Sequence, residues 1–312
     1  MKLVTQAQVY REQGEYHLAL TCAQGSEHPA AHAEAARALV WLGRYSEALQ
    51  AAARGRALRD DTAIWIASSE AQIAGGQPKD GLTSAHAALK RATGPSERGL
   101  SRVVEASALH VLGDGLSAVH AARQALDELV AGRPYDKALA LHALAESLHV
   151  AGRHPEAADV WRQLLALRQE IFTGNHPELG ATVHGMGLTL RRLGLAEVAI
   201  DMHEQALVIY LDRLDDQHPA IAAARHGLAQ ALHRIGKPQD AREQLAQALE
   251  VSEIRQGLDH PHTWITRFEL GRIELDCGML VDGYRRMEAS RLRLTELLGP
   301  QHPTVLAIRN WL

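Results

Sequence analysis

Basic side chains recur at two matched positions in the second half of the chain. Histidine stands at intervals of 42 residues, at His142, His184 and His226. Seven residues after each of these comes another basic residue: His149, Arg191 and His233. Because an α-helix turns about 100° per residue, a step of seven places the two rows within about 20° of each other on one helix face. Imidazole and guanidinium groups in such rows can donate hydrogen bonds to a carboxylate.

These rows and their neighbours form one candidate binding surface, which we name the basic stripe. Within it, Arg191, Arg192 and Arg234 would hold a carboxylate by paired hydrogen bonds, so the stripe suits an acidic peptide or a free C-terminus. Its twelve residues are His142, Glu146, His149, His184, Leu188, Arg191, Arg192, His226, Gln230, His233, Arg234 and Arg272.

Two other interpretations of the basic stripe are open. Duplicated units would retain a surface histidine at the same place without any partner. The other is a metal site, against which the spacing argues: equivalent residues on packed helices lie about 8–10 Å apart, whereas zinc needs its nitrogen ligands at about 2 Å. If the stripe binds an anion, histidines that titrate near pH ~6.5 predict tighter binding as the pH falls from about 8 to 6.

The stripe belongs to a sequence repeat with the same period. Four units carry a His-Pro pair, at His176-Pro177, His218-Pro219, His260-Pro261 and His302-Pro303. A hinge glycine keeps the same interval, at Gly152, Gly194, Gly236 and Gly278, with small residues five positions after it and seven before it. Proline in the first turn and glycine just past the last turn delimit a helix, and an imidazole before the proline can accept a free backbone N–H. Each unit is therefore predicted to be a hairpin of two closely packed helices.

Shorter units of the same design precede these. Their hinge glycines are Gly14, Gly43, Gly76 and Gly113, and the Gly75-Gly76 pair leaves one register open by a residue. The two stripe positions of the second to fourth units hold Ala33 and Val40, Ile66 and Ile73, and Val103 and His110. We predict an all-α chain of about eight hairpins plus a terminal helix, in which an apolar surface precedes the basic stripe unless some of these side chains are core.

Several segments resemble the tetratricopeptide repeat (TPR) family. They include Val40-Trp41-Leu42-Gly43-Arg44-Tyr45-Ser46-Glu47-Ala48-Leu49 and Gly257-Leu258-Asp259-His260-Pro261, and the 42-residue units are similar to those of kinesin light chains and bacterial signalling proteins. The resemblance implies a right-handed superhelix, one solenoid over 1–312, with shorter units over 1–134, 42-residue units over 135–301 and a terminal helix over 302–312. It also implies that the first helix of each hairpin lines a concave groove that binds a peptide or protein. Glu274, which stands where other units have Leu148, Leu190 and Leu232, predicts altered packing in the last hairpin.

The remaining composition narrows the function classes. A net charge of −4 argues against direct binding of nucleic acid, and no run of about 20 apolar residues predicts a membrane span. Cys22 and Cys277 lie in different units, so neither a disulfide framework nor a cysteine zinc site is expected, and a cytoplasmic location fits. No phosphate-binding loop, His-Glu-x-x-His or Gly-x-Ser-x-Gly motif occurs. We expect a non-catalytic protein without cofactor or metal.

The sequence thus predicts a scaffold that binds a protein or peptide. One alternative is a ligand-sensing regulatory module of a bacterial transcription or signalling protein, and a weaker one is a hydrolase on a helical-repeat frame. The end of the chain, with Trp311 and Leu312, leaves a further choice open. This last helix either covers the final hairpin or pairs with a second copy or another domain, which would give a homo-oligomer through terminal helices.

Overall fold

The computed structural model describes residues 2–309, and within that range every regular element is an α-helix. Helices α1 to α16 form eight consecutive hairpins and α17 follows alone, so the predicted all-α architecture is confirmed. The helices are α1 (Lys2–Glu12), α2 (Tyr16–Gln24), α3 (Pro29–Trp41), α4 (Tyr45–Leu58), α5 (Thr62–Ala74), α6 (Pro78–Arg91), α7 (Pro95–Val111), α8 (Gly115–Glu128), α9 (Pro134–Val150), α10 (His154–Ile171), α11 (Pro177–Arg192), α12 (Ala196–Arg213), α13 (Pro219–Arg234), α14 (Pro238–Arg255), α15 (Pro261–Asp276), α16 (Leu280–Leu298) and α17 (Pro303–Arg309).

A glycine with positive φ turns the chain inside each hairpin. The φ angles of the eight predicted hinge glycines lie between 69° and 87°, a region that residues with a Cβ rarely adopt. At the ambiguous pair, Gly76 has φ 79° whereas Gly75 has φ −79°, which fixes the register of the third hairpin. The predicted small residues also lie at close helix contacts, since a Cβ on Gly81 would stand 2.7 Å from Cγ1 of Ile73.

The His-Pro pairs cap helices, as predicted. In five of the six His-Pro pairs the Nδ1 atom accepts the backbone N–H two residues further on, at 3.1 to 3.2 Å. The sixth pair, His154-Pro155, differs because His154 is itself the first residue of α10 and Arg153 holds the N-cap position. An Nδ1 that accepts carries no proton, so the proton of the neutral ring is on Nε2. The five capping histidines are His28, His176, His218, His260 and His302.

Contacts divide the chain into two compact units, unit 1 (Met1–Thr182) and unit 2 (Val183–Leu312), with the boundary inside α11. In unit 1 the first helices of successive hairpins, α1, α3, α5, α7 and α9, pack side by side. Buried alanines such as Ala36, Ala67 and Ala106 permit this close packing. In unit 2, α13 packs on α14 and α15 on α16. Among residues 2–309, no helix combines the length and apolar character that crossing a bilayer requires.

The last full hairpin accommodates the unusual Glu274 by pairing it. Glu274 is buried, and its carboxylate accepts hydrogen bonds from Nε and Nη2 of Arg286 on α16, at 2.9 and 3.1 Å. An intra-hairpin ion pair therefore replaces the leucine contact of the other units, which satisfies the buried charge.

The final helix covers this hairpin. Val305 and Ile308 of α17 are buried in one cluster with Met287 of α16. Trp311 and Leu312, on which the expectation of terminal pairing rested, lie outside the described residues.

Candidate functional site

Unit 1 contains a cavity of about 370 Å³ between its first helices. Val40, Ile73 and Val103, which the sequence assigned to an apolar surface, line this cavity. Ala33 and Ile66, from the same rows, are instead buried core residues. The predicted apolar surface is therefore present in part: Val40 and Ile73 come from the row three residues before the hinge glycines and Val103 from the row ten before, whose other two members are core.

The first and fifth hairpins meet and close one side of the cavity. Nη1 of Arg11 in α1 lies 3.2 Å from the hydroxyl oxygen of Tyr135 in α9, and Nη1 of Arg133 lies 3.0 Å from a carboxylate oxygen of Glu12. A Cβ on Gly14 would stand 3.1 Å from the ring of His176. Residues more than a hundred positions apart thus enclose the same space.

A continuous chain of polar side chains, which we name the polar belt, runs along the cavity wall. Its first half begins at Glu70, which accepts from Nε of Arg37 at 2.9 Å. Glu34 joins two arginines, because one oxygen accepts from Arg37 at 2.9 Å and the other from Arg11 at 2.8 Å. Tyr135 then accepts from Arg11 and donates to Glu178 at 2.6 Å.

The second half of the polar belt continues from Glu178 to the predicted stripe residue His142. Arg168 donates to Glu178 at 2.7 Å and lies 3.3 Å from Nδ1 of His142. A guanidinium can only donate, so Nδ1 of His142 accepts and the ring proton is on Nε2. That Nε2 lies 3.3 Å from Glu146, whose second oxygen lies 3.5 Å from Nδ1 of His110. The belt therefore ends at Glu70 on α5 and at His110 on α7.

The charges of the belt hold its carboxylates in the ionised form. Burial alone would raise the pKa of Glu34, Glu146 and Glu178, but their basic neighbours outweigh it and lower all three. Burial lowers the pKa of His110, yet the charge and hydrogen bond of Glu146 outweigh burial and raise it. Burial and the Glu178 charge raise the pKa of Tyr135, which keeps its hydroxyl proton available for donation.

Unit 2 holds four arginines of the basic stripe, Arg191, Arg192, Arg234 and Arg272, which we name the arginine group. Burial and then the charge of Arg192 lower the pKa of Arg191 to about 10; Glu269 opposes them, and the smaller effects of Arg234 and Arg272 lower the pKa further. Its Nε is buried, and nothing among residues 2–309 accepts a hydrogen bond from it. Arg272 is paired with Glu269 at 2.8 Å. No carboxylate in the described range forms an ion pair with Arg191, Arg192 or Arg234.

The histidines of unit 2 pack against each other rather than forming an open row. His226 is 7% exposed, and its Nδ1 lies 3.0 Å from the hydroxyl of Thr266. His184 Nδ1 lies 3.2 Å from Nδ1 of His203, so one of these rings donates and the other accepts. Burial, reinforced by the nearby charge of Arg191, lowers the pKa of His226 to about 3. The expectation that His226 becomes charged between pH 8 and 6 is therefore wrong.

The structure separates the predicted stripe residues into groups. His142 and Glu146 line the cavity of unit 1. His149 is not among its lining residues, and its ring lies 5.1 Å from that of His154. In unit 2, His233 pairs with Asp276 and contacts Arg272 at 3.4 Å. Leu188 and Gln230 are half-buried. Within residues 2–309, no group of three or more His, Cys, Asp or Glu side chains is arranged to hold a metal ion.

Sequence reasoning missed two parts of these sites. It overlooked Arg37 and Glu70, although both stand six residues before a hinge glycine, the position that Glu146 holds in its own unit. It also overlooked His203, which is fully buried on α12, the second helix of its hairpin. The glycines at 187 and 227 were its only sequence signal, since a Cβ on either would stand within 2.7 Å of the His203 ring.

Paired helices that repeat along the chain and present polar side chains from their first helices define a helical-repeat solenoid. Residues 136–212 and 181–254 each match the family model of the tetratricopeptide repeat. Residues 136–254 therefore match tetratricopeptide repeats, and the helical hairpins on either side have the same design. This fold commonly serves as a scaffold for interactions between proteins.

Solved structures agree with this fold. The Podosopora anserina kinesin light chain of nearly identical TPR-like repeats is 24% identical, with a TM-score of 0.50, over 65% of this chain and 96% of its own. A Rap protein in complex with Competence and Sporulation Factor is 12% identical, with a TM-score of 0.68, and the match covers 99% of this chain and 95% of the Rap chain. The APC/C hetero-tetramer Cut9-Hcn1 is 14% identical, with a TM-score of 0.70, and the match covers 99% of this chain and 55% of that chain. A search of curated proteins finds no sequence that matches this chain.

Proposed function

We propose that the protein is a non-catalytic module that binds a partner protein or peptide through a carboxylate, held in unit 2 by the arginine group. The observation that carries this proposal is Arg191, a half-buried guanidinium near three other arginines and without an ion-pair partner among residues 2–309. The nearby carboxylate of Glu269 is already paired with Arg272. Burying a charge without a counter-ion is costly, so such a site is completed by an anion.

In this proposal the arginines and the histidines of the basic stripe have different roles. Arg191, Arg192 and Arg234 bring the unpaired positive charge, and a guanidinium binds a carboxylate through two parallel hydrogen bonds. Arg272 and Glu269 form a neutral pair at the same surface. His226 stays neutral and shapes the wall below. Its low pKa removes the expected rise in affinity that protonation of this ring would give between pH 8 and 6.

The proposal is tested with a fluorescein-labelled tetraglutamate peptide and fluorescence anisotropy. Arg191→Met keeps the apolar stem and removes the charge, so we expect at least about tenfold weaker binding, the size of a lost charge-assisted hydrogen bond. The matched control is Arg285→Met, an exposed arginine of the same unit, which should bind like the wild type. Equal binding by Arg191→Met and the wild type would contradict the proposal.

Two further measurements sharpen this test. Amidation of the peptide C-terminus weakens binding only if the terminal carboxylate is the group recognised. Because Arg191 has no partner to lose, Arg191→Met should also unfold at the same temperature as the wild type or higher. A lower melting temperature would show that the arginine serves folding instead.

The alternative role, a regulatory module that senses a peptide, uses the same site. The similar fold of a Rap protein in complex with Competence and Sporulation Factor suggests this role, and binding alone does not distinguish it. Hydrogen exchange does: a sensor requires that the tetraglutamate peptide alter exchange in helices far from α11, α13 and α15. A scaffold requires protection at those three helices alone.

A further inference from the structure

We propose that the cavity of unit 1 is a second binding site, for a ligand that carries a protonated amine next to a short apolar group. This site shares no residue with the arginine group, and it binds a cation whereas the arginine group binds an anion. It therefore goes beyond the proposed function. Its volume of about 370 Å³ lies within the range of about 300–1,000 Å³ that small-ligand sites occupy.

The polar belt presents negative charge to this cavity. Glu70 and Glu146 keep 32% of their side chains exposed, whereas Arg37 keeps 16% and Arg168 only 2%. Arg168 and its partner Glu178 are equally buried, while His110 and His142 keep 26% and 24% of their side chains exposed. The most exposed charged groups of the belt are therefore the carboxylates of Glu70 and Glu146. An ammonium group complements them, because the exposed oxygens can only accept hydrogen bonds.

Glu70 provides the specific acceptor. Its Oε2 accepts from Arg37 at 2.9 Å, while no group among residues 2–309 donates to its Oε1. At the other end of the belt, Glu146 already lies between His142 and His110. An amine that enters the cavity therefore donates a hydrogen bond to Oε1 of Glu70. We place it between Glu70 and Glu146, near the two ends of the belt.

The apolar part of the ligand has its own wall. Val40, Ile73, Val103 and Leu139 line the same cavity as Glu70. Burial of a leucine-sized side chain against such a wall adds hydrophobic binding free energy, which an ammonium alone does not gain. The site thus selects a primary amine attached to an aliphatic group. Both the N-terminal residue of a peptide and a free alkylamine have this chemistry.

Isothermal titration calorimetry of the full chain tests the site with three probes. L-Leucinamide and isopentylamine should both bind, whereas N-acetyl-L-leucinamide, which lacks the charge, should bind at least about tenfold more weakly. Tighter binding of leucinamide than of isopentylamine identifies a peptide N-terminus as the source, and the reverse order identifies an alkylamine. Equal binding of the acetylated and free amides, or no binding of either amine, overturns the proposal.

Two variants locate the site. Glu70→Gln should weaken leucinamide binding at least about tenfold, whereas the control Glu156→Gln, an exposed glutamate on α10 with its own arginine partner, should not change it. Ser107→Leu fills the cavity without altering its charge and should abolish binding. Circular dichroism melting verifies that each variant is folded. Wild-type affinity in a folded Glu70→Gln or Ser107→Leu protein would overturn the assignment, whatever the tetraglutamate peptide does at the arginine group.

Discussion

The ring of His203 occupies the space that a side chain on Gly227 would need. A Cβ built on Gly227 would stand 2.5 Å from Cε1 of His203, closer than side-chain carbons approach in folded proteins. Gly187, on the preceding first helix, has the same relationship at 2.7 Å. The two glycines lie on α11 and α13, so one buried imidazole of α12 sets how closely these helices approach it.

Replacing Gly227 with alanine should destabilise the protein in spite of the better helix propensity of alanine. Crowding against His203 costs about 1–3 kcal/mol, while alanine gains about 1 kcal/mol over glycine within a helix. In a His203→Ala background the crowding disappears, so Gly227→Ala should stabilise by about 1 kcal/mol. Urea unfolding of the four proteins of this cycle measures both signs. Stabilisation in both backgrounds would show that the ring does not constrain the helix.

Removing the hydroxyl of Tyr135 should weaken unit 1. Tyr135→Phe deprives Arg11 of an acceptor and Glu178 of a donor, and all three residues are buried. Leaving buried polar groups unsatisfied costs about 1–3 kcal/mol. Tyr284→Phe, at an exposed tyrosine, is the matched control and should leave the unfolding free energy unchanged. If the two variants are equally stable, the polar belt does not depend on its central link.

The low pKa of His226 should make the folded state sensitive to acid. In the folded protein this ring stays neutral down to about pH 3, whereas in the unfolded chain it binds a proton below about pH 6.5. The unfolded state therefore binds more protons between these values, and stability falls as the pH falls. Between pH 7 and 5 this ring should contribute a loss of up to about 2 kcal/mol.

Variants at two positions test this titration by urea unfolding at pH 7 and pH 5. His226→Asn should lose about 2 kcal/mol less than the wild type over that interval. His262→Asn should behave in the same way, because burial also lowers the pKa of His262 to about 3. A pH dependence identical to that of the wild type in both variants would show that these rings are not held neutral.

The repeat frame could be predicted because it depends on local backbone requirements. A positive φ at Gly194 or a helix start at Pro219 is encoded by the residue itself and recurs with each unit. The polar belt could not be predicted in this way. Arg11 and Tyr135 are 124 residues apart in units of unequal length, so no common period connects them.

Burial of the stripe was the other part that the sequence did not reveal. The position of His226 on its helix face was predicted, but its pKa depends on how closely α13 and α15 pack, and on Thr266, which contacts its ring. Arg191 occupies the same row as His149 and His233, yet only the structure distinguishes the unpaired arginine from its neighbours. Side-chain partners on adjacent helices, rather than periodicity, decide which members of a row carry charge.

The imidazole caps give the repeat array a vulnerability that a serine or aspartate cap would not produce. Each capping ring from His28 to His302 holds a backbone N–H with an Nδ1 lone pair, so the cap exists only in the tautomer that leaves this atom without a proton. Since the same joint recurs in five places, a metal ion or alkylating agent that occupies this lone pair loosens helix beginnings along the array. The loss of one type of hydrogen bond would thereby affect five helix starts together.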